Sequence, residues 1–424
     1  MGQLFSVFAL KYVSHHGSVD ELKAIAEIDS LILFMINAIA LGLQSAAIRD
    51  LALEKDWKKN YYDIQSARLT LGLLIACFAF LAFFNTYYIV FLIAPLLGWS
   101  GDYALYARSH PITGSIVAFV RLLVPFSLLI FFSTYKPELL AVVYIISVSA
   151  IYLITNLYIS NHLKTAFFFI PKFKNLHLYL KSMSLGVVVV SLYFIGLGLV
   201  LLLPYFYKNE IVAVAFVGLK FYIIFKGLLR IIHQAFVKEM ISDEVCLKID
   251  QMGSLLGLIF FAAVTFFPNT VISLFFGEKY LPDKLFFILL SIGGLIYSAF
   301  SSFIIRLLLE KKDKAYALIS SIAALITIVA AIITSYFWQT ASAVGGSLII
   351  GELAFSAGMI FLMNRPDLIR KRLLFLASNM LFVIVPVAIG YFWGDKMISF
   401  IIAISLFVSF IVLIHYRKFV SSIN

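Results

Sequence analysis

Long apolar stretches separated by short polar connections run through the whole chain. Thirteen of them contain about 20 residues each, the length that an α-helix needs to cross about 30 Å of hydrocarbon. They fall at residues 28–47, 67–84, 86–106, 112–133, 137–159, 183–206, 211–234, 251–276, 285–308, 316–337, 341–363, 373–392 and 397–416. Because a backbone in lipid must satisfy its hydrogen bonds internally, this pattern predicts an all-α polytopic membrane protein.

The first residues, Met1 to Val13, are apolar but too short to span a bilayer. They lack the basic region and the small-residue cleavage site of a secretory signal. We interpret them as the outer half of a further helix whose beginning is missing, through a late start codon or a truncated gene. The prediction is therefore about 14 transmembrane helices, the first of them incomplete.

The polar connections suggest an internal division of the chain. The longest ones lie at 48–66, 160–182 and 235–250, and all are short. We predict two pseudo-symmetric six-helix bundles, with transported cargo handled between them as in many transporters. The predicted parts are listed here: the first bundle at 1–160, a cytoplasmic connecting loop at 161–182, the second bundle at 183–363, and two additional helices at 364–424.

Composition supports the membrane assignment. Hydrophobic residues make up 62% of the chain and charged residues only 13%, against roughly 25% charged residues in soluble domains. The mean hydropathy is +1.02. A net charge of +11 could indicate nucleic-acid binding, but the basic residues form small clusters between apolar stretches and never a basic domain, so we expect no nucleic-acid partner.

The distribution of the basic residues predicts the orientation of the helices. If both chain termini are cytoplasmic, most of the 33 lysine and arginine residues fall on the inner side, as the positive-inside rule requires. The few on the outer side are Lys11, Lys23, Lys136, Lys208, Lys279, Lys284 and Lys396. We therefore expect a multi-pass protein of the bacterial cytoplasmic membrane.

Four basic residues of the predicted spans 112–133 and 211–234 are candidates for function: Arg121, Lys220, Lys226 and Arg230. A cation facing lipid at the centre of a span costs about 2.5–3.5 kcal/mol on insertion scales, so these side chains should face protein or water. Guanidinium and ammonium groups bind pyrophosphate through charge-assisted hydrogen bonds. We predict a basic cavity for an anionic cargo, while a snorkelling side chain explains Arg230 equally well and a structural ion pair explains Lys220 equally well.

Helical spacing places Tyr222, Lys226 and Arg230 on one face of the span 211–234. Glu352 is the one acidic residue near the centre of a predicted span, beside a stripe of small residues typical of close helix packing. Two interpretations of Glu352 stay open. It pairs with a buried cation such as Arg121, which we favour slightly, or it carries protons.

Asn37, Gln44 and Tyr222 are candidate contacts for sugar hydroxyls, although hydrogen bonds between helices explain the two amides more simply. Glu27 and Asp29 precede or begin the span 28–47, where solvation explains them. Asp102 receives no assignment.

Nothing in the sequence indicates catalysis. Cys77 and Cys246 are isolated, and His15 and His16 have no companion ligands at metal spacing. The chain contains neither a nucleotide-binding lysine loop nor a nucleophile elbow. We expect a protein that is not an enzyme and that needs no metal or cofactor.

Two motifs resemble those of bacterial polysaccharide flippases. The segment 41–49, LGLQSAAIR, is similar to the LGL-x-x-A-x-x-R ending of their second helix, and the segment 274–282, LFFGEKYLP, is similar to their FG-x-x-Y turn. With the helix count, the chain looks like a lipid-linked oligosaccharide flippase of the multidrug/oligosaccharidyl-lipid/polysaccharide (MOP) exporter superfamily. The incomplete first helix departs from that family's pattern.

The resemblance implies two six-helix bundles that open alternately to each side of the membrane around a basic cavity. It also implies the cargo, an undecaprenyl-pyrophosphate-linked glycan of the O-antigen or capsule type, with membrane lipids and the polysaccharide polymerase or export machinery as partners. A peptidoglycan precursor is an alternative cargo, since it presents the same pyrophosphate.

Two further classes of function are weighed against this one. A cation-coupled multidrug exporter of the same superfamily should have acidic residues in the first bundle, whose central part contains Arg121 and no carboxylate by the predicted spans. A membrane glycan polymerase should have a large outer loop with catalytic charges, and the predicted outer loops are short.

Overall fold

The computed structural model describes residues 2–16, 18–43, 51, 56–108, 110–135, 139–235, 242–275, 277–310, 312–377, 401 and 405. Within these ranges the chain forms helices and turns and no strand. The α-helices are α1 (Gly2–His16), α2 (Val19–Ala40), α3 (Trp57–Ala76), α4 (Ala94–Gly98), α5 (Asp102–Ala107), α6 (Pro111–Tyr135), α7 (Leu140–His162), α8 (His177–Lys181), α9 (Met183–Phe194), α10 (Asn209–Ala235), α11 (Asp243–Phe266), α12 (Pro268–Phe275), α13 (Lys284–Phe300), α14 (Ser302–Leu309), α15 (Asp313–Phe337) and α16 (Ala341–Met363).

Short 3₁₀ helices connect or extend several of these elements. They span Cys77–Phe83, Thr86–Ile93, Phe173–Leu176, Leu197–Leu201, Leu203–Tyr205 and Glu278–Asp283. Residues 366–377 are also helical.

The all-α polytopic prediction is confirmed. In the described part of the chain, 9 helices are long and apolar enough to cross a membrane, or 10 if the bent pair of 173–181 and 183–194 counts as one span. The two helices of that pair meet at 78°. Most of the predicted spans 373–392 and 397–416 lies outside the described residues.

The bounds of α2 differ from the predicted span 28–47. The helix begins at Val19, because Ser18 and Glu21 form a capping box: the Ser18 hydroxyl accepts from the Glu21 N–H at 3.2 Å, and the Glu21 carboxylate accepts from the Ser18 N–H at 2.6 Å. It ends at Ala40, where Leu41 adopts a φ of 30° and Gly42 a φ of 75°. Hydropathy located the apolar part of this helix, whereas the caps set its true ends.

Other predicted ends also shift. α3 begins at Trp57, inside the predicted connection 48–66, since a helix can continue into the polar layer beyond the hydrocarbon. The predicted span 183–206 ends its α-helix at Phe194 and continues as 3₁₀ turns. The span 251–276 breaks at Phe267, just before Pro268, whose ring is suited to the first position of the next helix.

The described chain forms two compact units. Unit 1 comprises residues 1–217 and 313–339, and unit 2 comprises residues 218–312 and 340–424. In unit 1, α6 packs against α1 and α7, and α9 packs against α15. In unit 2, α13 packs against α11 and α16. The predicted division at 161–182 into two six-helix bundles and two further helices stays a prediction.

The LGL motif at the end of α2 makes a very close backbone contact with α9 in unit 1. A Cβ atom added to Gly186 would lie 2.6 Å from both Cγ and the carbonyl oxygen of Leu41. A Cβ atom added to Gly42 would lie 2.6 Å from the carbonyl oxygen of Ser182. Glycine is needed at both positions because any side chain would push the two segments apart.

We expect Gly186→Ala to lower the free energy of unfolding by about 1–3 kcal/mol, the range for overpacked sites. Gly346→Ala in α16 is the matched control, since its added Cβ would meet no atom within 4 Å and alanine favours a helix. Thermal unfolding of the purified protein in detergent measures both variants. Native stability of Gly186→Ala would contradict the close contact.

Candidate functional site

A polar cluster in unit 2 joins α10 to α16. Tyr222 and Lys226 are four residues apart on α10, so their side chains leave the same face of the helix. The Tyr222 hydroxyl donates to Oε1 of Glu352 at 2.7 Å. The Lys226 ammonium donates to the same oxygen and forms an ion pair with it.

Two aromatic rings border the ammonium group of Lys226. Its Nζ atom lies 4.8 Å from the ring centroid of Tyr222 and 4.5 Å from that of Tyr297. Both distances suit a cation–π interaction. We call Tyr222, Lys226, Tyr297 and Glu352 the Lys226 cluster.

The two members of this ion pair are buried to different extents. The Glu352 side chain is fully buried, whereas 16% of the Lys226 side chain is exposed. The second carboxylate oxygen of Glu352, Oε2, is buried without a hydrogen-bond partner among the described residues. A buried carboxylate needs a cation or a proton to offset its lost hydration. Glu352 thus depends on Lys226 for charge compensation, while part of the Lys226 side chain stays exposed.

The partner of Glu352 is therefore Lys226 and not Arg121, the example that the sequence suggested. Arg121 belongs to unit 1 and has partners of its own. The spacing on α10 did predict that Tyr222 and Lys226 share a face. It could not reveal which distant helix supplies the counter-charge, because that depends on tertiary packing.

The remaining predicted residues have separate positions. Lys220 is buried, with 3% of its surface exposed, and its offset of six residues from Lys226 puts it on another side of α10. Asn37 is half-buried on α2. Gln44 and the side chain of Arg230 lie outside the described residues.

Arg121, near the middle of α6, is buried in unit 1 among polar groups from neighbouring segments. Its Nε donates to the Thr155 hydroxyl at 2.9 Å, and its Nη1 donates to the Ser100 hydroxyl at 2.9 Å. Its Nη2 donates to the side-chain oxygen of Asn156 at 2.8 Å. Each guanidinium nitrogen therefore has a hydrogen-bond acceptor.

Asp102 and Tyr152 complete the surroundings of Arg121. Asp102, which the sequence left unassigned, places a carboxylate oxygen 3.5 Å from Nη1. The guanidinium carbon lies 4.2 Å from the ring centroid of Tyr152. These contacts favour a structural role for Arg121. A sequence signal was present on α7, where Tyr152, Thr155 and Asn156 place polar groups on one face at helical spacing.

Arg68 is a buried cation that the sequence analysis missed. Hydropathy placed it at the edge of a span, but it lies inside α3 with 4% of its surface exposed. Its guanidinium carbon lies 4.9 Å from the ring centroid of Tyr103. The Nε and Nη1 atoms are buried and have no hydrogen-bond partner among the described residues. Such N–H groups suit an anionic acceptor.

The expectation that solvation explains Glu27 and Asp29 is wrong, since both are buried. Asp29 lies near the middle of α2, because the capping box starts this helix at Val19. The Tyr144 hydroxyl donates to Oδ1 of Asp29 at 2.5 Å. Unit 1 therefore holds a carboxylate within a helix, where the hydropathy pattern indicated none.

These features define a multi-pass α-helical membrane protein with paired charges inside its helices. No protein-family model matches the chain, and no curated protein sequence does. Solved structures do match its fold. The lipid II flippase MurJ in an inward closed conformation superposes with a TM-score of 0.76 and 15% identity, over 99% of this chain and 98% of that one.

Two further structures extend this likeness. An inward-facing multidrug resistance MATE family transporter of the MOP superfamily has a TM-score of 0.59 and 15% identity, over 88% of this chain and 96% of that one. A MOP superfamily transporter from Pyrococcus furiosus, described by the reverse polarity of its binding pocket, has a TM-score of 0.51 and 13% identity, over 87% and 94%. The chain thus has the fold of MOP superfamily transporters, as predicted.

We expect the Arg121–Asp102 pair to stabilise unit 1. Arg121→Met should lower the free energy of unfolding by about 3–5 kcal/mol, because it leaves Asp102 without its cation. The double variant Arg121→Met/Asp102→Leu should recover part of that loss, and Arg370→Met, at an exposed position, should have little effect. Thermal unfolding in detergent measures all three. Strictly additive losses in the double variant would argue against the pair.

Proposed function

We propose that the chain is a flippase that moves an undecaprenyl-pyrophosphate-linked oligosaccharide from the cytoplasmic to the outer leaflet of the bacterial inner membrane, for surface polysaccharide biosynthesis. The observation that carries the proposal is Lys226, a partly exposed lysine inside a span, whose ammonium group contacts two tyrosine rings and a buried carboxylate. Lys220 and Arg230 on the same helix are further predicted binding residues, whereas the contacts of Arg121 favour a structural role.

An exchange of partners at Lys226 explains how an anion would bind. Pyrophosphate oxygens replace Oε1 of Glu352 as acceptors for the Lys226 ammonium group. The Tyr222 hydroxyl can still donate a hydrogen bond at this site. Glu352 would then be a buried carboxylate without a cation, which is costly. It offsets that cost by taking a proton. The two interpretations of Glu352, ion pair and proton carrier, thus become two stages of one cycle.

A peptidoglycan precursor is the alternative lipid-linked cargo. The likeness to the lipid II flippase MurJ supports it as directly as the motifs support a surface glycan. Lys226 would meet the same pyrophosphate in both cargoes. The two cargoes are distinguished by which deletion strain of bacteria the protein rescues.

The test is surface glycan display in a flippase-deleted bacterium that carries the matching glycan pathway. Native protein should restore display, and Lys226→Gln should reduce it by about tenfold or more, because a charge-assisted hydrogen bond of about 1.5–3 kcal/mol is lost. Lys248→Gln is the matched control, since that lysine is exposed near the start of α11. Membrane levels of all variants are measured alongside.

Full display with Lys226→Gln at equal membrane level would contradict the proposed role of Lys226. Absence of display with native protein, together with growth rescue of a bacterium depleted of its lipid II flippase, would assign the peptidoglycan precursor instead. Absence of both activities, with the native protein inserted in the membrane, would reject the flippase proposal.

A cation-coupled multidrug exporter is the second candidate, and Asp29 is the observation that favours it. Such an exporter needs a buried carboxylate in unit 1 to hold a proton or an organic cation. The sequence pattern indicated no such carboxylate and therefore disfavoured this function. The MATE family transporter of the same fold supports this candidate.

Under the exporter hypothesis, expression in a drug-sensitive bacterium should raise resistance to ethidium, and Asp29→Asn should abolish that gain because the amide can neither bind a proton nor offset a cation. Asp20→Asn, an exposed acid on the same helix, should keep it. Growth inhibition and ethidium efflux measure the effect. Resistance that persists in Asp29→Asn would argue against this candidate.

A further inference from the structure

Three segments of unit 1 line a cavity of about 290 Å³. They are the first half of α2, the turn at 84–85 between two 3₁₀ helices, and the 3₁₀ helix Leu203–Tyr205. The positive-inside pattern predicts that these segments lie toward the outer side of the membrane. The volume lies near the lower limit for small-molecule sites, so it suits a ligand of one or two rings.

The polar wall of the cavity is a buried carboxylate with two partners. Glu27 lies 3.6 Å from the Lys23 ammonium, one helical turn earlier on α2. The Asn85 side-chain N–H donates to the other carboxylate oxygen at 3.3 Å. Asn85 is itself held in place, because its side-chain oxygen accepts from the Tyr87 N–H at 2.9 Å. The wall thus presents fixed donors and acceptors that carry no net charge.

Another part of the lining is aromatic. Tyr88 and Tyr205 hydrogen-bond to each other through their hydroxyl groups, while 66% of Tyr205 and 84% of Phe84 are exposed. Large exposed rings beside a polar pocket offer flat surfaces for stacking. Aliphatic side chains of α2 and of residues 201–204 line the remainder.

We infer that this cavity binds a neutral sugar residue. A pyranose ring has one face of C–H groups, which packs on an aromatic ring, and an edge of hydroxyl groups, which both donate and accept hydrogen bonds. A carboxylate, an amide and an ammonium group in one wall match that edge. For its biological ligand the inference rests on the proposed function, in which the glycan emerges on the outer side.

The charges of the wall argue against an ionic ligand. An organic cation would have to compete with Lys23 for Glu27, and an anion would have to compete with Glu27 for Lys23. Binding of either ion would therefore cost the existing pair between Lys23 and Glu27. A neutral sugar leaves the pair intact and adds hydrogen bonds to it.

Saturation-transfer NMR on the full chain in lipid nanodiscs tests the inference, with chitobiose, lactose and maltose as neutral probes and choline and inorganic pyrophosphate as charged ones. We expect saturation of at least one disaccharide and of neither charged probe. Tyr205→Leu should raise the dissociation constant of the bound disaccharide about tenfold, as expected for loss of one stacking ring. Glu27→Gln should also weaken disaccharide binding. Tyr336→Leu, an exposed tyrosine of α15 outside the cavity, should match native protein.

Binding of no disaccharide, binding of choline or pyrophosphate alone, or disaccharide binding unchanged in Tyr205→Leu would each overturn the inference. Tyr205 is exposed, so its variant should fold even where Glu27→Gln does not, and thermal unfolding checks this. The readout needs no transport. Sugar binding that depends on Tyr205, with neither glycan display nor growth rescue, would support this site and reject the flippase. Display without sugar binding would do the reverse.

Discussion

The cost of holding a charge away from water governs how this chain is assembled. Three ion pairs join different helices: Lys226 with Glu352 across α10 and α16, Arg121 with Asp102 across α6 and α5, and Arg372 with Asp250 at 2.5 Å across residues 366–377 and α11. A buried charge without its partner would be strongly destabilising. The pairs therefore stabilise the contacts between these helices once apolar packing has brought the helices together.

The depth of a charged residue in the membrane is a poorer guide to its function than its exposure and its hydrogen-bond partners. Arg121 lies near the middle of its helix but has an acceptor for every nitrogen, which makes it a structural residue in this conformation. Lys226 pairs with Glu352, and 16% of its side chain is exposed. Arg68 keeps two N–H groups without acceptors in the described chain. Partial exposure distinguishes Lys226 from Arg121, and buried N–H groups without acceptors in the described chain distinguish Arg68 from it.

The fold alone leaves the cargo open, because one architecture carries a lipid II flippase, a multidrug transporter and a transporter of reversed pocket polarity. Cargo is a property of the side chains placed on that architecture. Unit 1 contributes the Asp29 carboxylate and the cavity beside the first half of α2, and unit 2 contributes the Lys226 cluster. Each of these features supports a different ligand chemistry.

The sequence by itself determined the membrane class, the helical fold and the shared face of Tyr222 and Lys226, because hydropathy and helical periodicity act locally along the chain. It also contained the capping signal at Ser18 and Glu21, which corrects the position of Asp29. The partners of Glu352 and Arg121 were decided only by tertiary structure. An ion pair depends on which helices become neighbours, and helix packing in a membrane is set by many weak contacts that no local pattern encodes.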